Sequence, residues 1–214
     1  MKGIIFDLDG VLLSTDELHY RAWKKIADKL GIPFDRKIND RLRGVSREAS
    51  FEIILEKYDG QLSKAEKEDC CNEKNEYYKE LLHTLDENTI APEVRKTLAE
   101  LRKMGYRLAV GSSSKNTRTI LERTNLTSAF DAISDGNNIT RSKPDPEVFL
   151  KAAEYLFLRP EECFVVEDAE AGIDAAVAGG FCPVGIGGAA KYAPTKYGIS
   201  SLTELIEIAR AMKS

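Results

Sequence analysis

MKGIIFDLDG (residues 1–10) runs four apolar positions, Gly3 to Phe6, into two aspartates that stand two residues apart. On an extended backbone residues at that spacing point to the same face, so Asp7 and Asp9 share one side of the strand end. At roughly 4 Å and an effective dielectric near 20, two such charges repel by about 4 kcal/mol. A chain shaped by stability alone has no reason to close a buried strand this way. A cation between the carboxylates, or a proton on one of them, removes the conflict. The stretch predicts a buried strand that delivers an acidic site at its carboxyl end, although an Asp-Gly pair by itself also makes an ordinary turn.

Working outward, the 214 residues suffice for a full hydrophobic core, with or without an insert. Thirty-one Lys and Arg against 35 Asp and Glu give a net charge of −4 without a basic block, which points away from nucleic acid and anionic membranes. No apolar run approaches membrane-spanning length, and Asp7 interrupts the N-terminal run too early for a signal peptide. Four cysteines, with Cys70 and Cys71 adjacent, form neither a disulfide framework nor a CxxC pattern. Reduced thiols in a cytoplasmic protein, monomeric by default, are the expectation.

From residue 16 to residue 87 no strand is expected. Leu18, Ala22, Ile26 and Leu30 recur at helical spacing before Gly31, and residues 46–60 carry a second helical pattern. Ser63 and Glu66 form an S-x-x-E capping box that opens a third helix. From Pro92 onward short apolar runs alternate with amphipathic helices: YRLAVG, FDAIS, CFVVED and PVGIG are the runs. Such alternation predicts a parallel sheet covered on both faces, an α/β Rossmann-like three-layer core. The core is assigned to residues 1–14 and 90–214, and residues 15–89 form a helical cap domain inserted after the first strand.

Ligands of open α/β sheets bind beyond the carboxyl ends of the strands. The expected strands deliver Asp7 and Asp9, then Ser112 to Ser114 with Lys115 and Asn116, then Lys143 in SKPDP, then Glu167 and Asp168. Four carboxylates on one rim require a cation, and hard oxygen donors beside a phosphate suit Mg²⁺, one per chain. Zinc is disfavoured, because His19 and His83 both fall in the helical insert. Ser112 offers a hydroxyl donor and Lys143 a point charge for a phosphoryl group. The chemistry assembled is phosphoryl transfer, with one aspartate free to act as nucleophile and the other to exchange a proton.

FDLDG, the serine after LAVG, the Lys143-Pro144 loop and VVEDAEAG together resemble the motif set of the haloacid dehalogenase-like phosphotransferases, over nearly the whole chain. HYRAW (19–23), GVSRE (44–48), SKN (114–116), LERTNLT (121–127) and SKPDPEVF (142–149) are closer still to the members that interconvert β-glucose 1-phosphate and glucose 6-phosphate. This resemblance implies Asp7 as nucleophile and Asp9 as general acid and base. It implies a metal held by Asp7, the Asp9 main-chain carbonyl and Asp168, with Glu167 close by. Ser112 and Lys143 would grip the transferring phosphate, and Arg47, Ser114, Lys115 and Asn116 the distal one. His19, Trp23, Gly44, Val45, Ser46 and Lys74 would line the sugar side, with Thr15 at a hinge. Ser14 and Ala169 depart from the family pattern, which has an acidic residue and Ser there.

Nucleophile and metal are common to mutases and phosphatases, so the acceptor separates them. A mutase must exclude water and hold a bisphosphate, which asks for a second phosphate site. Arg47 suits that task with its planar fork, and a cation at a helix start is otherwise unfavourable. Trp23 equally suits a core, and the helix of Lys74 is crowded with charges of the kind that face water. The expected partner is a small sugar phosphate. A sugar-phosphate phosphatase is the alternative, and a non-catalytic sensor is disfavoured because a binder needs no nucleophile. Halide removal is disfavoured too, since Glu167 and Asp168 make sense around a metal.

Overall fold

The computed structural model describes residues 1–42 and 46–212. Two compact units divide the chain: Met1–Ser14 with Leu85–Ser214, and Thr15–Thr84. The division at residues 84 and 85 falls before the expected boundary at 89 and 90. The short 3-10 turn Glu87–Thr89, capped by Asp86, counts with the first unit.

In the first unit six strands form one parallel sheet in the order β3-β2-β1-β4-β5-β6. They are β1 (Gly3–Phe6), β2 (Arg107–Gly111), β3 (Ala132–Ser134), β4 (Cys163–Glu167), β5 (Cys182–Ile186) and β6 (Tyr197–Ile199). Every residue of β1 and β4 is buried, as continuous apolar runs require when helices cover both faces. β1 lies between β2 and β4, with Phe6 opposite Val110 on one side and Val166 on the other. The chain order reverses around β1, which opens the ligand-binding crevice of such sheets at its carboxyl end. Five strands are expected from the sequence and six are found among the described residues. β6 is only three residues long with Gly198 at its centre, too short to carry a period.

Helices α5 (Pro92–Lys103), α6 (Thr117–Arg123), α7 (Glu147–Tyr155), α8 (Glu170–Ala178) and α9 (Leu205–Ala211) complete this unit. Val148, Phe149, Ala152 and Ala153 of α7 and Ala175 and Ala176 of α8 pack with Ile5, Ala109 and Val165 in one buried cluster. α5 begins with Pro92 and stops at Gly105, whose φ of +81° ends the helix in the left-handed region.

The second unit is helical: α1 (Asp16–Lys29), α2 (Arg36–Asp40), α3 (Arg47–Leu55) and α4 (Lys64–Leu82). Ser63 and Glu66 close the capping box, with the Glu66 carboxylate 2.7 Å from the Ser63 main-chain nitrogen. Trp23, Ile26, Ala27, Phe51 and Ile54 form its core with Cys70 and Cys71. α2, absent from the sequence reading, is a five-residue turn capped by Asp35. Among the described residues no helix is long and apolar enough to cross a membrane.

Candidate active site

Strand register sets the first unit's site. Val166 of β4 accepts the Asp7 main-chain N–H at 2.9 Å, which places Asp7 level with Glu167 at the ends of adjacent strands. Across the other edge of β1, Ser112 follows Gly111, the last residue of β2. Lys143 arrives from the loop before α7, and its Nζ donates to Asp7 Oδ1 at 2.6 Å and also to the Glu167 carboxylate. All three are nearly closed to water, with side-chain exposures of 12% for Lys143, 11% for Asp7 and 1% for Glu167. Burial disfavours the Lys143 ammonium, but the Asp7 and Glu167 carboxylates outweigh it and raise its pKa. Burial pushes the Glu167 carboxyl above the ordinary carboxylate range, against the pull of Lys143.

Asp7, Glu167 and Asp168 each bring a carboxylate oxygen within 4.8 Å of the other two. An all-oxygen set of this density, partly offset by one ammonium, fits a hard divalent cation. Two glycines make room for these carboxylates. Gly10 takes a φ of +78°, and the Asp168 carboxylate lies where a β-carbon on residue 10 would stand. Gly172 in the first turn of α8 likewise leaves its side-chain space to the Glu167 carboxylate. Glu167 Oε2 accepts the main-chain N–H groups of Asp168 and Ala169 at 3.0 and 3.1 Å, which fixes it over the helix start.

The loop after β2 is prepared to donate. Ser112 is buried, and its Oγ accepts the Ser114 N–H at 3.2 Å, so its own hydrogen is directed elsewhere. Ser114 Oγ accepts the Asn116 N–H at 3.2 Å in the same manner. Lys115 is exposed and Asn116 half-buried, at the start of α6. A second loop, missed by sequence reasoning, braces this one. Gly136 N–H donates to the Ser114 carbonyl at 3.2 Å, and Asn137 Nδ2 to the Lys115 carbonyl at 2.9 Å. The DGNN turn at 135–138 was its only signal in the sequence.

In the second unit Lys74 is 3% exposed, contrary to the water-facing reading of its charged helix. Its Nζ bonds His19 Nδ1 at 2.9 Å and lies 4.7 Å from the Tyr78 ring centroid. An ammonium at Lys74 donates to an unprotonated His19 Nδ1, which leaves the ring proton to Nε2 in that state. Burial, then the Lys74 and Arg47 cations, hold His19 well below its ordinary pKa. His19 stacks on Tyr78 at 4.1 Å, and the Tyr78 hydroxyl donates to Thr15 Oγ1 at 3.2 Å. Trp23, for which a core place and a sugar-side place are equally expected from the sequence, is 2% exposed and stacks on Phe51 at 5.6 Å. The stripe of Leu18, Ala22 and Ile26 turns it inward. Ser46 caps α3 by accepting the Ala49 N–H at 3.2 Å. Arg47 Nη2 donates to Asn75 Oδ1 at 2.8 Å, a partner that sequence reasoning did not single out. Gly44 and Val45 lie outside the described residues.

A beta-phosphoglucomutase of Bacillus subtilis is 42% identical over 190 residues, 87% of this chain and 84% of the relative. A phosphorylated carbohydrates phosphatase of Thermotoga maritima is 32% identical over 183 residues, 84% of this chain and 82% of the relative. The crystal structure of a beta-phosphoglucomutase from Clostridium difficile superimposes with a TM-score of 0.86 at 34% identity, covering 100% of this chain and 98% of that one. The family model of the haloacid dehalogenase-like hydrolases matches residues 4–185, from the strand that carries Asp7 through the acidic pair to β5. With that match and those relatives, the chain belongs to the haloacid dehalogenase-like hydrolase family.

Proposed function

We propose that this protein is a β-phosphoglucomutase, interconverting β-D-glucose 1-phosphate and glucose 6-phosphate. The observation that carries the reading is the buried Asp7–Lys143–Glu167 cluster at the centre of the sheet edge, in a chain 42% identical to a protein of that name. Asp7 is the group that carries the phosphoryl, as an acyl phosphate. It passes the phosphoryl to O6 of β-glucose 1-phosphate while Asp9 takes the O6 proton. After the bisphosphate turns over, Asp7 takes the phosphoryl from O1 and Asp9 returns the proton there. Ser112 donates its hydroxyl hydrogen and Lys143 its charge to the oxygens of the moving phosphoryl. Asp7, the Asp9 main-chain carbonyl and Asp168 would hold Mg²⁺, which would supply neutralisation of the phosphate charge.

The mutase assignment over the phosphatase one rests on Arg47. It stands at the first position of α3, where the helix dipole disfavours a cation, and Asn75 holds its guanidinium from the side. We assign it the distal phosphate of the bisphosphate, with Ser114, Lys115 and Asn116. His19, Lys74 and Ser46, with Gly44 and Val45, are assigned to the sugar side, Thr15 to a hinge, and residues 15–84 to a cap.

An assay following glucose 6-phosphate and inorganic phosphate in parallel tests this. Primed with a sugar bisphosphate and Mg²⁺, the enzyme is expected to yield glucose 6-phosphate with little free phosphate. Stoichiometric phosphate release would make it a sugar phosphatase, as in the Thermotoga relative. Arg47→Ala is expected to lower mutase kcat/KM by about 100-fold or more, the loss of a bidentate charged clamp, and to change hydrolysis of an aryl phosphate by less than about 3-fold. Equal losses on both substrates would remove Arg47 from the distal site.

A further inference from the structure

We propose that Glu147 is a positioning residue for Lys143, holding the loop that aims the ammonium at Asp7. The inference rests on the reading of Asp7 and Lys143 as phosphoryl-handling groups, and it concerns a residue those roles do not include.

Lys143 comes from the loop that leads into α7. Glu147, the first residue of α7, folds back over that loop. Its Oε2 accepts the Thr140 main-chain N–H at 3.0 Å, the Thr140 hydroxyl at 2.9 Å and the Arg141 main-chain N–H at 2.8 Å. Asp145 closes the other end: its Oδ1 accepts the Glu147 N–H at 3.0 Å, and its own N–H donates to the Ser142 carbonyl at 3.1 Å. Arg141 Nη1 pairs with Asp145 Oδ2 at 3.1 Å, so these charges compensate one another. Residues 142–144 are thus the tip of a ring clamped where it leaves and rejoins the start of α7.

The same helix also seats the lysine itself. Phe149, two residues after Glu147 and fully buried, places its ring centroid 4.7 Å from Lys143 Nζ. Gly111 of β2 leaves the space into which the Phe149 ring projects. The first turn of α7 therefore sets the root of the loop through Glu147 and the end of the side chain through Phe149. A displacement near 1 Å at a reacting group costs on the order of 100-fold in rate.

The test is Mg²⁺-dependent hydrolysis of p-nitrophenyl phosphate by wild type, E147A, E147Q and E147D. This probe contains no sugar, so it decides the role of Glu147 whichever way the mutase reading falls. E147A is expected to lower kcat by about 30- to 100-fold with KM changed less than about 3-fold. E147Q, whose amide oxygen still accepts the same N–H groups, should return kcat to within about 5-fold of wild type. E147D, one methylene short, should lose at least about 10-fold and carries the test should E147A fold poorly. A wild-type kcat in E147A or E147D, or an E147Q as impaired as E147A, would overturn the proposal.

Discussion

Asp7→Asn is expected to abolish turnover, with kcat falling by about 10⁴-fold or more. The amide is nearly isosteric, so the strand end and the main-chain bond to Val166 survive while the nucleophilic oxygen pair does not. Phosphoryl incorporation provides the direct readout. Wild-type protein quenched in acid during turnover should carry a hydroxylamine-sensitive phosphoryl group, visible by intact mass. The variant should carry none. A variant that keeps more than about 1% of wild-type turnover would remove Asp7 from the chemistry. The substitution also replaces one of the two carboxylates that face Lys143, so Lys143 keeps Glu167 as its charged partner.

Lys143→Ala should lower both turnover and stability. Turnover falls by at least about 10³-fold, because the charge that meets the phosphoryl oxygens is gone. The carboxylates of Asp7 and Glu167 are left in a site almost closed to water, and breaking a buried pair of this kind costs about 3–5 kcal/mol. Protein stripped with a chelator should therefore melt well below wild type. Added Mg²⁺ should recover more of the melting temperature in the variant than in wild type, since the site is one positive charge poorer. Thermal unfolding with and without Mg²⁺ reads this directly. A variant that melts like wild type without metal would show that the three groups are not coupled.

The core and its site were legible because each piece is local and carries its own contradiction or signature. Two carboxylates ending an apolar strand, and another pair ending CFVVED, are electrostatic misfits that a cation or a bound proton must resolve. The groups that brace those residues were not legible. Glu147 looks like any acidic first-turn residue, and its three acceptor bonds exist only once the loop closes. The bonds from Gly136 and Asn137 to the Ser114 and Lys115 carbonyls likewise join loops after different strands, which no period reports. Lys74 misled for a related reason. Twelve residues of α4's nineteen are Lys, Glu, Asp or Asn, and composition cannot say which one turns toward Trp23 and Tyr78.

The place of β1 in the sheet has a consequence for the order of assembly. It pairs with residues 107–110 on one side and 163–166 on the other. Long-range pairings of this kind close slowly, because the intervening chain must surrender its freedom before the ladder stabilises anything. Within residues 15–84 the separations are shorter, 55 residues between His19 and Lys74 and 63 between Thr15 and Tyr78. The segment bearing Asp7 is synthesised before both of its neighbours, so one edge waits for residues 107–110 and the other for residues 163–166, and until then each apolar edge is open to a premature partner.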